Sequence, residues 1–531
     1  MIHASLFSLF APVILVLVGG LAVLGSEPFI LQHRSKHAWL PWISALFLLL
    51  AGVVLAVTPL GQLHGIFALD NARLWLCEAI LAATVISIAG LQQSLDRDDY
   101  AGGEPYALML FSAAGAMLMV MAADTLALFV GLEIASLSIY ALVGLRRNRS
   151  ESNEGLFKYF VMGAVFSAIF LYGAALTYGA TGSTNYGVQI LAGRDKLMVL
   201  GQMLMVIGLL FKVGVVPFHF WSPDAYTGAP AAVTGFMGSV IKVGGFAALG
   251  AIWLNLAAVL SKNHPGGVLP LDAEVTVTAA AALALQPATV IFLVLAVVSV
   301  VLGNLSALRQ TSARRMVAFS SVAQAGYMLF ALPLAIGATT GVSVLHLGSL
   351  WYYLVGYALA TAGALAAIAV MSGKEDQGDQ LHGLAGQGRA QPFHGLMLTV
   401  FIASFAGVPP TIGFLGKFLV FGDLVAKGYI WVAILAMFMA VVGAAYYFKL
   451  LVTVWSAANK EAAPTGAQTL TRWTTGVAAV AVVVLIAWPN LITRAGMSTV
   501  AATNASVSAS VSASVSASVS APADTTTSAT K

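Results

Sequence analysis

The sequence predicts an all-α polytopic membrane protein of about fourteen transmembrane helices, on the strength of its composition and the length of its apolar runs. Of 531 residues, 59% are hydrophobic and 9% charged, against roughly 45 to 50% apolar and about 25% charged in soluble domains. No soluble fold has an interior that hides so much apolar side chain. The apolar residues fall in runs of about 20, the length that crosses the hydrocarbon core of a bilayer. One transmembrane domain over residues 1–495 and a low-complexity tail over 496–531 account for the chain.

The first run, Leu6 to Leu24, has only His3 before it and lacks a basic leader, so it reads as a retained helix and not a cleaved signal. The spans that follow are Leu40 to Val57, Leu74 to Leu91, Tyr106 to Met121, Leu126 to Leu145 and Leu156 to Thr177. Next come Leu197 to Phe218, Ala231 to Leu256, Val290 to Leu308 and Met316 to Ile336. Val344 to Met371, Phe393 to Leu419, Trp431 to Val454 and Thr474 to Ile492 complete the set. An even count puts both termini on one side.

Alternate loops then differ in basic residues. One set holds Arg34, Lys36, Arg97, Arg146, Arg147, Arg149, Arg309, Arg314, Arg315, Lys374, Arg389, Lys460 and Arg472; the other, with the termini, holds Arg73, Arg194, Lys196, Lys262, Lys427, Arg494 and Lys531. Cytoplasmic loops collect Lys and Arg, which places the richer set inside and both termini outside. The stretch Val275 to Leu285 tests this topology, because it either begins a longer tilted helix, cut from the next span by Pro287, or lies at the interface. After Ala505 the chain repeats Ser, Val and Ala, side chains too small to hold a packed structure, and is expected to be disordered. The single cysteine, Cys77, lies in an apolar run and reads as packing.

Five basic residues remain inside spans: Lys158, Lys212, Lys242, Lys417 and Lys449. A charge at the centre of a spanning helix costs about 2.5 to 3.5 kcal/mol on insertion scales, and such residues mark transport pathways. Lys449, near a helix end beside Tyr446 and Tyr447, can snorkel to the interface and reads as structural, as does Glu78, about one turn into its span. Glu133 in FVGLEIASL and Lys212 in GLLFKVGVVPFH lie deep in apolar surroundings. A structural ion pair between them explains one lysine, but Lys158, Lys242 and Lys417 leave lysine in excess. Burial and neighbouring positive charge favour a neutral amine, whereas a nearby carboxylate favours the ammonium. A carboxylate that moves between near and far positions therefore makes a switchable proton carrier.

His219 follows Lys212 by seven residues, about two turns of a continuous helix. Pro217 and Gly214 between them predict a break instead, and broken helices at membrane depth line polar cavities. ASFAGVPPTIGFLGKF repeats the pattern, with Pro409 and Pro410 ahead of Lys417 where the first proline comes after its lysine. That reversed order is what an inverted repeat could produce, and paired broken helices point to a transport site. Ser320, Ser321, Gln324 and Tyr327 form a polar stripe that serves either a water chain or helix packing. His346 and Trp351 read as interfacial. No metal-binding Cys/His pattern and no nucleotide-binding glycine motif is found, and nothing points to nucleic acid.

These residues carry a resemblance. ALVGLRRNRSESNEGLFKYFVMGAVFSAIFLYG, FKVGVVPFHFWSPDAYTGAPAAVTGFM, LGNLSALRQTSARRMVAFSSVAQAGYM and FAGVPPTIGFLGKF, with FVGLEIASL, resemble the antiporter-like membrane subunits of respiratory complex I, above all the subunit N type of bacterial NADH-quinone oxidoreductase. The resemblance implies fourteen helices with two inverted five-helix repeats, helices 4 to 8 (about residues 105–258) and 9 to 13 (about 287–457), each with a broken helix. It implies that Glu133 and Lys212 form a functional pair, that Lys158, Lys242 and Lys417 continue a hydrophilic axis, and that His219 sits where a family histidine lies. Gln324 departs from the histidine that many relatives carry there.

By the same resemblance the chain translocates protons as part of a translocase in the bacterial plasma membrane, beside homologous antiporter-like subunits and in contact with lipid. It binds no cofactor and does no redox chemistry itself; NADH, FMN, iron-sulfur clusters and quinone belong to partner subunits. The alternative is a subunit of a cation/proton antiporter or membrane-bound hydrogenase complex.

Overall fold

A computed structural model describes residues 2–30, 39–63, 65–98, 100, 102–192, 196–261, 269, 271, 275–277, 279–332, 343–345, 347–372, 380–457 and 469–493. The Ser/Val/Ala tail lies outside these residues, as do Arg34, Lys36, Arg194, Lys262, His346, Lys374, Lys460, Arg494 and Lys531.

The described chain is a helical bundle. It runs through α1 (Ile2–Ile30), α2 (Leu40–Val57), α3 (Asn71–Arg97), α4 (Glu104–Met121), α5 (Thr125–Val143) and α6 (Ser150–Thr181). A short α7 (Tyr186–Ala192) leads to α8 (Lys196–Val213), α9 (Ser222–Gly228), α10 (Ala231–Phe236) and α11 (Lys242–Ser261), with a π turn at Met237–Ile241 joining the last two. Then come α12 (Ala279–Leu308), α13 (Ala313–Leu329), α14 (Gly348–Met371), α15 (Gln387–Ala390), α16 (Pro392–Ala406), α17 (Ile412–Ala426), α18 (Ile430–Val454) and α19 (Thr469–Val484). Twelve helices among the described residues are long and apolar enough to cross a membrane. The other two expected spans fall on α13, of 17 residues, and on the pair α16 and α17, of 15 residues each.

Helix starts follow capping chemistry. Asp124 accepts from the backbone N–H of Leu126 and Ala127 at 2.8 and 3.1 Å, and Asp70, Ser312 and Thr411 cap α3, α13 and α17 in the same way, meeting amide groups that have no partner inside the helix. Apolar burial alone cannot hold helices together in lipid, so close approach at small residues does. Gly115 faces Gly131 across α4 and α5, and Gly173 faces Gly201 across α6 and α8, with no room for a side chain at any of the four. At the centre, α14 is buried along its whole length; α6 and α18 turn outward faces such as Phe157, Tyr172, Phe438 and Val441 toward the surroundings.

Two expectations change. Val275–Val277 forms β3, paired antiparallel with β4 (Ser343–Leu345), and the rest of the stretch begins a longer helix as one reading allowed, but Pro287 does not cut it from the next span, since α12 runs from Ala279 straight through that proline. A second antiparallel pair joins β1 (Gly61–Leu63) to β2 (Phe67–Leu69). Trp351 is fully buried, not interfacial, and its Nε1–H donates to the Leu271 carbonyl at 2.9 Å.

Candidate functional site: a buried lysine axis

Two helices break where the sequence predicted. After α8, Gly214 adopts φ +73° and Val216–Pro217 is cis; after α16, Gly407 adopts φ +81° and Pro409–Pro410 is cis. Positive φ suits glycine because a Cβ would collide with its own carbonyl. Both breaks thus share one order in the chain: helix, left-handed glycine, valine, one residue, cis proline. The lysines flank this common turn from opposite sides, so the reversed order noted in the sequence belongs to the lysines alone. A shared electrostatic feature results. Lys212 lies in the last turn of α8, and Lys417, five residues into α17, reaches back to donate to the Phe405 carbonyl in the last turn of α16 at 2.6 Å. Each break sets an ammonium at the carbonyl end of a half-helix, where the helix dipole favours positive charge.

Lys212, Lys242 and Lys417 are 3%, 4% and 5% exposed, and no carboxylate lies within ion-pair distance of any of them among the described residues. Neutral oxygens and aromatic faces hold them instead. Lys212 Nζ donates to Ser136 Oγ at 2.6 Å and to Tyr159 Oη at 3.4 Å, with the rings of Tyr140 and Tyr159 at 5.8 and 5.5 Å. Lys242, the first residue after the π turn, donates to the Ser321 carbonyl at 2.5 Å and lies 5.7 Å from the Tyr357 ring. Lys417 lies 5.2 Å from the Tyr327 ring. An ammonium has three donors, so contacts of this kind hold it without compensating its charge.

The expected Glu133 and Lys212 ion pair is open. Glu133, half-buried on α5, accepts from Ser167 Oγ of α6 at 2.6 Å, while Lys212 rests on Ser136, one turn along α5 from Glu133. A partly open pocket of about 10 Å³ borders Ser167, Tyr140 and Lys212, room for about one water.

Between Lys242 and Lys417 runs the polar stripe of α13. Ser321 Oγ accepts from Tyr357 at 2.9 Å and lies 3.4 Å from the Tyr226 hydroxyl. Gln324 Nε2 donates to the Phe405 carbonyl and to the Tyr447 hydroxyl, each at 3.1 Å, its Oε1 accepts from Tyr353, and Tyr447 also bonds Ser320. On the other flank, a Cβ built at Gly245, one turn after Lys242, would stand 3.7 Å from Lys212 Cγ. The three buried lysines therefore follow one another through α8, α11, α13 and α17.

Lys158 does not join them. Its side chain is 42% exposed and pairs with Glu154 at 2.5 Å and Asp224 at 2.7 Å. Successive helical residues point about 100° apart, so Lys158 faces outward while the neighbouring Tyr159 enters the site. His219, beyond the break, is half-buried with no hydrogen bond to Glu133 or a lysine among the described residues; the two-turn spacing from Lys212 fails because the helix ends at Val213. Lys449 is exposed near the end of α18. Glu78 is half-buried, with Gly52 opposite its carboxylate. Among the described residues no group of three or more His, Cys, Asp and Glu side chains could hold a metal ion. Tyr140, Tyr159, Tyr353 and Tyr357 join the site unannounced by any motif, and Tyr447 enters it as a partner of Gln324 and not merely as a neighbour of Lys449; the signal in the sequence is the recurrence of tyrosine inside apolar runs, each needing a partner for its hydroxyl.

Residues 122–265 and 267–443 match the family described as NADH:quinone oxidoreductase/Mrp antiporter, transmembrane. Subunit N of NADH-quinone oxidoreductase from Trichlorobacter lovleyi is 34% identical over 460 residues, 85% of this chain and 88% of the relative. A chain of respiratory complex I from Thermus thermophilus, solved with bound Aureothin, is similar in structure with TM-score 0.71 and 31% identity, covering 91% of this chain and 98% of that one. The Mrp complex from Dietzia sp. contains a chain with TM-score 0.73 but 19% identity, over 91% of this chain and 96% of that one, a likeness of fold alone.

Proposed function

Since the chain belongs to the NADH:quinone oxidoreductase/Mrp antiporter membrane family, we propose that its three buried lysines, with Glu133, carry the protons that a complex I subunit of the subunit N type translocates across the plasma membrane. Identity of 31 to 34% with complex I relatives against 19% with the Mrp chain favours complex I over a cation/proton antiporter assembly. NADH, flavin, iron-sulfur and quinone chemistry then resides in partner subunits, among them homologous antiporter-like chains. This chain contributes proton transfer only.

The observation that carries the reading is the line of lysines held by neutral acceptors. Each exchanges an ammonium for an amine without breaking an ion pair, so modest movements of a neighbouring charge suffice to load or unload it. Glu133 supplies that charge: moving from Ser167 toward Lys212 it stabilises the ammonium, and moving away it releases the proton toward Lys242, the α13 stripe and Lys417. Moving one charge against 100 mV costs about 2.3 kcal/mol, comparable to a shift of about two pKa units at about 1.36 kcal/mol each. The basic loops face the cytoplasm and both termini the outside. The two breaks sit in two inverted five-helix repeats, helices 4 to 8 and 9 to 13. The test is the assembled complex carrying Lys212→Ala or Glu133→Gln: proton uptake into vesicles falls in both while the complex still assembles, and undiminished pumping in both contradicts the reading.

A further inference from the structure

Asp224 sits where three helices meet. It lies on α9, the short segment that follows the break after Lys212, and its carboxylate accepts from Lys158 of α6 at 2.7 Å and from Arg315 of α13 at 3.1 Å. The backbone is clamped at the same place. A Cβ at Gly155 of α6 would stand 2.8 Å from the Asp224 carbonyl, and Arg314 of α13 donates to the Ala229 carbonyl just past α9. From α9 two contacts lead into the lysine axis. Trp221, immediately before it, stacks on Tyr159 at 4.3 Å, and Tyr159 is a partner of Lys212. Tyr226, within it, lies 3.4 Å from Ser321 Oγ, and the Ser321 carbonyl receives Lys242.

We infer that Lys158, Asp224 and Arg315 form an electrostatic latch that holds α9 between α6 and α13, so that α9 links the surroundings of Lys212 mechanically to those of Lys242. Lys158 is a positioning residue whose charge matters and whose proton does not travel. Geometry carries this assignment: its ammonium meets two carboxylates and is partly exposed, whereas every lysine of the axis is buried and meets no carboxylate among the described residues. A shift of α9 moves Trp221 and Tyr226 together, giving the two lysine sites a common element to respond to. The inference rests on the proton-carrying role of the axis proposed above.

Arginine separates the two roles for Lys158, because a guanidinium keeps the ion pair but does not give up its proton in a protein. The experiment uses the assembled complex in vesicles and reads protons taken up per NADH oxidised, with assembly monitored alongside. Lys158→Gln and Asp224→Asn each lower that ratio, the double variant loses less than the two single losses combined because the Lys158–Asp224 contact is common to both, and Lys158→Arg restores it. Loss of pumping in Lys158→Arg makes Lys158 a proton carrier and overturns the latch. Unchanged pumping in both Lys158→Gln and Asp224→Asn overturns it as well. Should Lys158→Gln fail to assemble, Lys158→Arg and Asp224→Asn still decide. Lys212→Arg runs alongside: if it pumps normally, the lysine axis itself fails, an outcome distinct from failure of the latch.

Discussion

Gln324 and Lys417 share one acceptor, for the amide Nε2 of the first and the ammonium of the second both donate to the Phe405 carbonyl, at 3.1 and 2.6 Å. That carbonyl lies in the last turn of a half-helix, where no intrahelical donor meets it. The stripe of α13 and the second broken helix therefore meet at a single oxygen, and a change in the charge of Lys417 is felt directly by Gln324.

Replacing Gln324 by Leu leaves Tyr353 and Tyr447 each without one buried partner. The cost is about 1 to 3 kcal/mol per orphaned group, read as a lower thermal midpoint for the subunit in the complex, with pumping reduced at the same time. Gln324→His keeps a donor and an acceptor in place and is expected to retain more of both. Equal losses in the two variants contradict this role.

At Gly407 the backbone is left-handed, and a Cβ would stand 3.3 Å from Lys417 Cδ. Gly407→Ala carries a backbone penalty of about 1 to 2 kcal/mol and displaces the Lys417 stem from the Phe405 carbonyl. Pumping falls while the complex continues to reduce quinone. Gly428 also has positive φ but open space around it, so Gly428→Ala shares the backbone strain and is expected to leave pumping per NADH unchanged.

Ser167 holds Glu133 away from Lys212. In Ser167→Ala the carboxylate loses a hydrogen bond worth about 1.5 to 3 kcal/mol, and pairing with Lys212 is favoured. Difference infrared spectra of the complex are expected to show the Glu133 carboxyl band displaced, an assignment secured by its absence in Glu133→Gln. A band unmoved by Ser167→Ala excludes Ser167 as the holder.

The packing of α6 against α8 depends on Gly173 and Gly201, where a side chain meets backbone. Gly201→Val forces the helices apart and lowers the amount of assembled complex in the membrane, measured by immunoblot after native electrophoresis. Gly179→Val, on α6 with nothing near its Cβ position, serves as control and assembles normally.

Much of this arrangement is legible from residue order because the bilayer leaves few choices: backbone groups in lipid must bond internally, so apolar runs of sufficient length become helices. The breaks at Gly214 and Gly407 were readable for the same reason, since proline removes a donor and glycine admits positive φ. Orientation around α6 was only partly readable: Glu154 stands one turn before Lys158 and marks an outward ion pair, but beyond Lys158 the helix is mostly apolar and no amphipathic stripe marks the face of Tyr159. Nor was the open state of Glu133 and Lys212. Opposite charges in an apolar run suggest a pair, but the choice between Ser167 and Lys212 as partner depends on how α5, α6 and α8 sit together. The π turn ahead of Lys242 falls in a run of small and apolar residues that does not distinguish it from an α-helical turn.

If a buried ammonium of the axis gives up its proton during turnover, as proposed, Lys242→Arg blocks that step. Arginine preserves the positive charge and a donor to the Ser321 carbonyl but stays protonated. Measured as protons moved per NADH oxidised by the assembled complex in sealed vesicles, the variant is expected to reduce quinone while pumping fewer protons than the parent. A proton ratio equal to that of the parent means that Lys242 does not lose its proton in turnover.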